Sequence, residues 1–231
     1  MSLEHGASIV TNGLVLCLDA GNTKSYPGTG TTWTDLSGLG NNGTLTNGPT
    51  YSSANSGSLV FDGTNDNVSF GEKLNQTTSN FSMSAWVKST STAAGNNNGI
   101  IYKKYTGYSY IAGYRLNMPN GAFDVEIADG TSHSQLTAGS GYNNGTWWNV
   151  TATIIRGSSL NLYANGVLIG TAAQTFTTTI DSTGTPFCLA SLAGQYHIYA
   201  GSMSYVSMYN RALSASEITQ NFNALRGRYG I

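Results

Sequence analysis

Charge is what this sequence has least of. Lys and Arg number 10 and Asp and Glu 11, so charged residues make up 9% of the chain, against a usual value of about 25%. The net charge is −1, and no basic cluster supplies the counterion release that drives nucleic-acid binding. Nucleic acid is therefore not an expected partner. No run of about 18 apolar residues occurs, so neither a membrane span nor a membrane partner is expected. The opening Met1-Ser2-Leu3-Glu4-His5 has no basic or apolar stretch, and no cleaved leader is expected.

Cysteine is also scarce. Cys17 and Cys188 are the only two, too few for a zinc site of their own, and no CxxC is present. Each lies in an apolar run, where a free thiol packs as a small hydrophobe. Two buried thiols are the expectation, with a disulfide joining the two ends of the chain as the alternative. The common catalytic signatures are missing too: no Gly-x-Ser-x-Gly, no His-Glu-x-x-His, and no Gly-rich phosphate loop with lysine. His5, His133 and His197 lie in unrelated polar contexts.

What is present is turn and strand chemistry. The 231 residues include 29 Gly, 14 Tyr, 7 Phe and 4 Trp, with polarity drawn from Asn, Thr and Ser. Short apolar-alternating runs recur at 14–19, 58–62, 67–70, 81–88, 99–104, 114–118, 123–128, 148–155, 160–164, 167–170, 187–191 and 201–209. This is the pattern of an all-β sandwich or barrel. In Phe123-Asp124-Val125-Glu126-Ile127 the alternation predicts an apolar face inward and an acidic face outward. Asn165-Gly166 reads as a two-residue hairpin turn, and Pro119-Asn120-Gly121 as a second hairpin connection. Ser214-Ala215-Ser216-Glu217 is a capping box, and Ile218, Phe222 and Leu225 follow as one apolar stripe, so one short helix closes the chain. Segments 38–49 and 89–98 read as small-polar insertions. A single domain over 1–231 is expected, with 1–12 as an N-terminal arm.

The ordered combination of Gly13-Leu14-Val15-Leu16-Cys17-Leu18-Asp19-Ala20, Trp33-Thr34-Asp35-Leu36-Ser37-Gly38, Leu59-Val60-Phe61-Asp62-Gly63, Phe81-Ser82-Met83-Ser84-Ala85-Trp86-Val87 and Val206-Ser207-Met208-Tyr209-Asn210-Arg211 resembles the laminin G-like and pentraxin-like members of the concanavalin A-like superfamily. The resemblance runs from about residue 13 to the end. It implies a two-sheet antiparallel jelly-roll sandwich with one C-terminal helix. The tail Asn221 to Gly230 resembles the ending of such domains in virion proteins of tailed phages. That implies a virion location, in capsid or tail, and fits unpaired thiols, because phage particles assemble in a reducing cytoplasm.

Three consequences were weighed. Some enzymes of the superfamily cleave glucans with Glu-x-Asp-x-(x)-Glu on one strand, and Asp124-Val125-Glu126-Ile127-Ala128-Asp129 has similar spacing with every type exchanged. Asp129 is out of phase with Asp124 and Glu126, so the stretch reads as a solvated acidic face running into an Asp-Gly turn, and no catalytic residue is assigned. Relatives often hold a structural calcium through an aspartate where this chain has Ser204. The oxygen-rich 62–67 stretch then reads as a turn bonding its own backbone, no cofactor is assigned, and structural calcium on Asp62 and Asp66 is the alternative. Aromatic rings offer broad stacking faces with a polar edge, and Tyr105, Tyr108, Tyr110, Tyr142, Trp148 and Tyr196 are the candidate ligand-binding residues. The expected function is a lectin-like adhesion or decoration module of a virus particle. Its partner would be surface glycan or neighbouring virion subunits, in an oligomeric assembly. Alternatives are a purely structural particle protein and a polysaccharide-cleaving enzyme.

Overall fold

Residues that alternate between apolar and small polar types can bury one strand face and leave the other to be covered or wetted. Sixteen such strands form in the computed structural model, which describes residues 8–92, 98–104, 111–192 and 194–231. They are β1 (Leu14–Asp19), β2 (Thr32–Trp33), β3 (Gly43–Thr46), β4 (Thr50–Ser52), β5 (Ser58–Asp62), β6 (Asn67–Ser69), β7 (Phe81–Lys88) and β8 (Gly99–Lys104). There follow β9 (Gly113–Asn117), β10 (Phe123–Ala128), β11 (His133–Ala138), β12 (Trp148–Ile155), β13 (Ser159–Ala164), β14 (Val167–Ala173), β15 (Cys188–Leu189) and β16 (Ala200–Tyr209). Helix α1 (Ala215–Leu225) comes last.

The strands form two antiparallel sheets. One runs β14-β13-β12-β7-β16-β5-β4, with β1 also paired to β16; the other runs β11-β10-β9-β8-β15-β6-β3-β2. Their inner faces share one core, built from residues such as Leu16, Phe61, Phe81, Met83, Tyr114, Val125, Ile154 and Phe187. This is the expected jelly-roll sandwich. Segment 38–49, expected to be an insertion, contributes β3, and β2, β4 and β11 also fall outside the expected runs. Each carries a single large apolar or aromatic side chain, Trp33 in β2, Leu45 in β3, Tyr51 in β4 and Leu136 in β11, too little to register as alternation.

The turns obey their local chemistry. Asn165 and Gly166 take φ of 49° and 78°, the left-handed pair a type I′ hairpin requires. Asn120 and Gly121, at 50° and 74°, turn β9 into β10. The capping box forms as expected, with Ser214 accepting the Glu217 amide and Glu217 bonding back to the Ser214 amide. Helix α1 covers the outer face of the first sheet. There the Trp86 ring is stacked between Phe222 and Tyr229, at centroid distances of 5.7 and 3.9 Å. The arm docks against the helix: the Val10 amide donates to Asn221 Oδ1, and Tyr209 Oη donates to the Val10 carbonyl. Cys17 and Cys188 are both buried, Cys17 beneath this helix layer and Cys188 in the other sheet.

Glu217 also pairs with Arg211, Oε1 to Nη2 at 2.6 Å. The Arg211 hydrogen bond, reinforced by the Ser214 amide, holds its carboxyl down at about 2. An unfolded glutamate titrates near 4.3, so this contribution to stability is complete above that range and is lost as pH falls through about 2. Glu217→Gln is expected to cost about 1 kcal/mol at neutral pH, the scale of a partly exposed pair. Urea titrations of the two proteins should converge as pH approaches 2.

Candidate functional site

The second sheet has an outward face with an unusual composition. Strand register lines up Gln135, Glu126, Arg115, Tyr102, Cys188, Ser69, Thr44 and Thr32, one from each of its eight strands. A flanking row places Thr137 beside Asp124 and Asn117, and on the other side Lys104 lies opposite Gly113. Lys104, Arg115, Asp124, Glu126 and Tyr102 all point away from the apolar core, yet each is at most 5% exposed.

Burying charge is costly unless each group is paired and hydrogen-bonded. Here the pairing is full. Glu126 Oε1 accepts from Lys104 Nζ, and Glu126 Oε2 meets Arg115 Nη2. Asp124 Oδ2 accepts from Gln135 Nε2 and Thr137 Oγ1, both at 2.7 Å, with Arg115 Nη2 3.7 Å from Oδ1. The Asn117 amide, oriented by its neighbours, accepts from Arg115 Nε at 3.3 Å and donates to the Leu116 carbonyl at 3.1 Å. Burial pulls the Lys104 ammonium below its usual range, against the bond from Glu126 that raises it. Burial also pushes the Tyr102 hydroxyl up.

This corrects the sequence reading of an acidic face in solvent. Asp124 and Glu126 lie within a two-cation, two-anion network, and Asp129 stands apart in its turn, accepting from the Thr131 and Ser132 amides. Lys104 and Arg115 carry no role in the sequence reading. Pairing across β8, β9 and β10 makes them counter-ions, and no local pattern encodes that register.

Beside the network lies a tight loop between β15 and β16. Leu192 and Tyr196 exchange backbone bonds, and Ser191 Oγ accepts the Gly194 amide while donating to the Asp66 carbonyl. Ala190 and His197, at φ of 68° and 59°, bracket it. The His197 ring stacks on Tyr102 at 4.5 Å and 16°. Between this loop and the turn after β5 opens a crevice of about 390 Å³, lined by Gly63, Ser91, Gln195, Tyr196, His197 and Ala200 among others. Tyr196 is 51% exposed on it.

The other candidates distribute unevenly. Tyr142 is 9% exposed, stacked on Phe123 at 4.4 Å, with Trp148 edge-on at 4.8 Å. Tyr142 thus belongs to the core margin rather than to a presented surface, and Trp148 Nε1 is bonded to Asn144. The structure does not bring this pair together with Tyr196. Tyr105, Tyr108 and Tyr110 lie outside the described residues. The 62–67 stretch is a turn: Thr64 donates its amide to Asp62 Oδ1 and Asp62 donates its own to Asp66 Oδ2. Asp66 Oδ1 is buried without a hydrogen bond, and desolvation raises its carboxyl. Ser204 spends its hydroxyl on the Gly57 carbonyl. No group of three or more His, Cys, Asp or Glu suited to a metal occurs among the described residues.

Residues 62–219 match the laminin G family model described as the concanavalin A-like lectin/glucanases superfamily, more than half of the sequence. The chain belongs to this superfamily. Among solved structures, this concanavalin A-like fold is similar to the binding domain of Paraclostridial Mosquitocidal Protein 1, at 18% identity and TM-score 0.72 over 93% of this chain and 52% of that one. The botulinum neurotoxin serotype G binding domain is 16% identical, with TM-score 0.67 over 90% and 50%. The serotype D ligand binding domain, solved in complex with N-acetylneuraminic acid, is 16% identical, with TM-score 0.68 over 92% and 51%. These likenesses establish the fold, and this chain spans about half the length of each of those domains. No curated protein sequence shows a significant match to it. No helix among the described residues is long and apolar enough to cross a membrane.

Removing the Glu126 charge leaves Arg115 and Lys104 buried with one fewer anion. Glu126→Gln is expected to destabilise the fold by about 3 kcal/mol, the scale of a broken buried pair. Denaturant unfolding measures this, and a cost below about 1 kcal/mol would mean that the network is solvated.

Proposed function

We propose that this concanavalin A-like chain is a lectin-like module that binds carbohydrate and does not cleave it, displayed for adhesion or decoration on a virus particle. The observation that carries the reading is the crevice beside the polar sheet face, where an exposed tyrosine ring adjoins amide and hydroxyl groups. Such a combination suits a sugar, which offers an apolar ring face for stacking and hydroxyls for hydrogen bonding. A glycosidase needs one carboxyl held protonated as a general acid. Asp124 and Glu126 are instead buried with cations and donors occupying their oxygens. A role as counter-ions accounts for both without a reaction.

The virion setting is supported by the resemblance of the tail and by two buried cysteines placed in different sheets, which suit assembly in a reducing cytoplasm. Many copies on one particle would turn weak single-site binding into useful avidity. Tyr105, Tyr108 and Tyr110 belong to the same proposal as further stacking rings. A second reading, docking of neighbouring subunits, is favoured by Val167 and Leu168, which are 67% and 51% exposed at the start of edge strand β14. An uncharged edge strand is a ready template for pairing.

On a glycan array, the multimerised domain is expected to bind a subset of oligosaccharides, and alanine at Tyr105, Tyr108 and Tyr110 together to weaken that signal. Silence of both proteins across the array would sink the carbohydrate reading. Concentration-dependent oligomers abolished by Leu168→Lys, measured by light scattering, would favour subunit docking.

A further inference from the structure

We infer that the crevice beside the β15–β16 loop is a subsite for an uncharged sugar ring, with Tyr196 as its stacking platform and acidic sugars excluded. This rests on the carbohydrate reading and adds the location and the ligand class.

Location follows from rigidity and access. Stacking on an exposed ring costs least affinity when the ring is already held in place. Tyr196 is held through its backbone, its carbonyl accepting the Leu192 amide at 2.9 Å. Downstream, the His197 and Ile198 carbonyls accept the Gly99 and Asn98 amides at 2.8 and 3.1 Å, tying the loop to the start of β8. His197 is anchored on Tyr102, so the loop rests on the buried polar network. Opposite, Gly63 presents bare backbone to the crevice, which lets a flat ring approach closely.

The ligand class follows from charge. A carboxylated or sulfated sugar loses its hydration on entering a crevice and needs a cation or several aligned donors in return. Among the described residues the crevice lining includes no Lys or Arg. The cations of the neighbouring sheet face, Lys104 and Arg115, are already committed to Glu126. Lys88 lies across the ladder from Ser202 rather than on the lining. Segments 93–97 and 105–110 contain no charged residue at all. Asp62, the register partner of Ala200, adds an exposed carboxylate at the crevice edge. An anionic ligand would therefore meet no Lys or Arg on the described lining and the Asp62 carboxylate near its edge, while a neutral ring would find an aromatic face, the Gln195 amide and the Ser91 hydroxyl.

The test uses an array of neutral oligosaccharides of glucose, galactose, mannose and N-acetylhexosamines, each beside a sialylated, uronic-acid or sulfated counterpart. The whole domain is expected to bind neutral members and to bind their acidic counterparts about fivefold more weakly, the scale of one uncompensated like-charge contact in water. Raising salt should leave the neutral signal unchanged, because no ion pair is being screened. Tyr196→Ala should lower that signal about tenfold, the scale of one stacking contact, with an unchanged melting temperature because the ring is exposed. Binding confined to acidic glycans, or neutral binding unaffected by Tyr196→Ala, would overturn this inference and leave the carbohydrate reading standing. Silence across the array would overturn both.

Discussion

One strand organises this fold by serving two partners along a single edge. The first part of β16 pairs with β5, from Ala200 opposite Asp62 to Met203 opposite Leu59, and its last part pairs with β1, from Tyr205 opposite Asp19 to Tyr209 opposite Leu14. Its other edge pairs with β7 from Ser202 to Tyr209, with a register shift between Met203 and Tyr205. Ser204 stands at the changeover. Its hydroxyl donates to the Gly57 carbonyl at 2.6 Å, at the entry to β5, and its carbonyl accepts the Ala20 amide at 2.8 Å, at the exit of β1. Buried backbone groups where a ladder is interrupted must find partners, and Ser204 supplies one on each side. The two segments come so close that a Cβ on Gly57 would lie 2.4 Å from the Ala20 carbonyl. A larger acidic side chain at position 204 would enter this close approach and displace the bond to the Gly57 carbonyl. The serine read from sequence as a lost metal ligand is here a structural tie between two strands.

The outer faces of the two sheets are handled differently, and that difference decides where a ligand can go. The face of the first sheet is sealed by α1 and the arm, with aromatic stacking on Trp86 as the seal. The second sheet turns polar and charged residues outward and balances them among themselves. Because two cations meet two anions, the network adds no net charge for a ligand to use. It stiffens the platform on which the β15–β16 loop rests. Fixed, mutually satisfied polar groups rigidify a region, which suits recognition by shape and stacking better than recognition by charge.

Much of this architecture was legible in the sequence because it is local. The period-2 runs, the Asn165-Gly166 turn, the Ser214/Glu217 capping box and the Ile218, Phe222, Leu225 stripe each declare themselves within a few residues. The missed strands, β2, β3, β4 and β11, carry one large apolar or aromatic residue each and exist because neighbouring strands recruit them. The site was legible only in parts. Tyr196 was singled out as an aromatic, but the bonds that position it come from Asn98, Gly99 and Tyr102, almost a hundred positions away in the chain. Tyr142 was singled out on the same grounds and packs on Phe123, since composition cannot distinguish a presented ring from one that fills a sheet edge. Asp124 and Glu126 were placed in solvent because alternation assigns them to the outward face. Outward does not mean exposed when Lys104 and Arg115 occupy the adjacent register positions.

The central strand and the crevice are mechanically one unit. Ala200, which begins β16, lines the crevice, and its register partner Asp62 precedes Gly63 on the opposite wall. The β5–β16 pairing thus fixes the width of the opening, while β8 fixes its floor through Gly99. A Cβ there would lie 2.4 Å from the Tyr102 ring and 2.7 Å from the His197 carbonyl. Any side chain at position 99 would push the His197–Tyr102 stack and the loop apart. Tyr196 would then move with the loop even though it touches neither strand directly. The geometry of the exposed ring is therefore set by contacts made at the centre of both sheets, and the sugar ring proposed to stack on it would read out the packing of the whole sandwich.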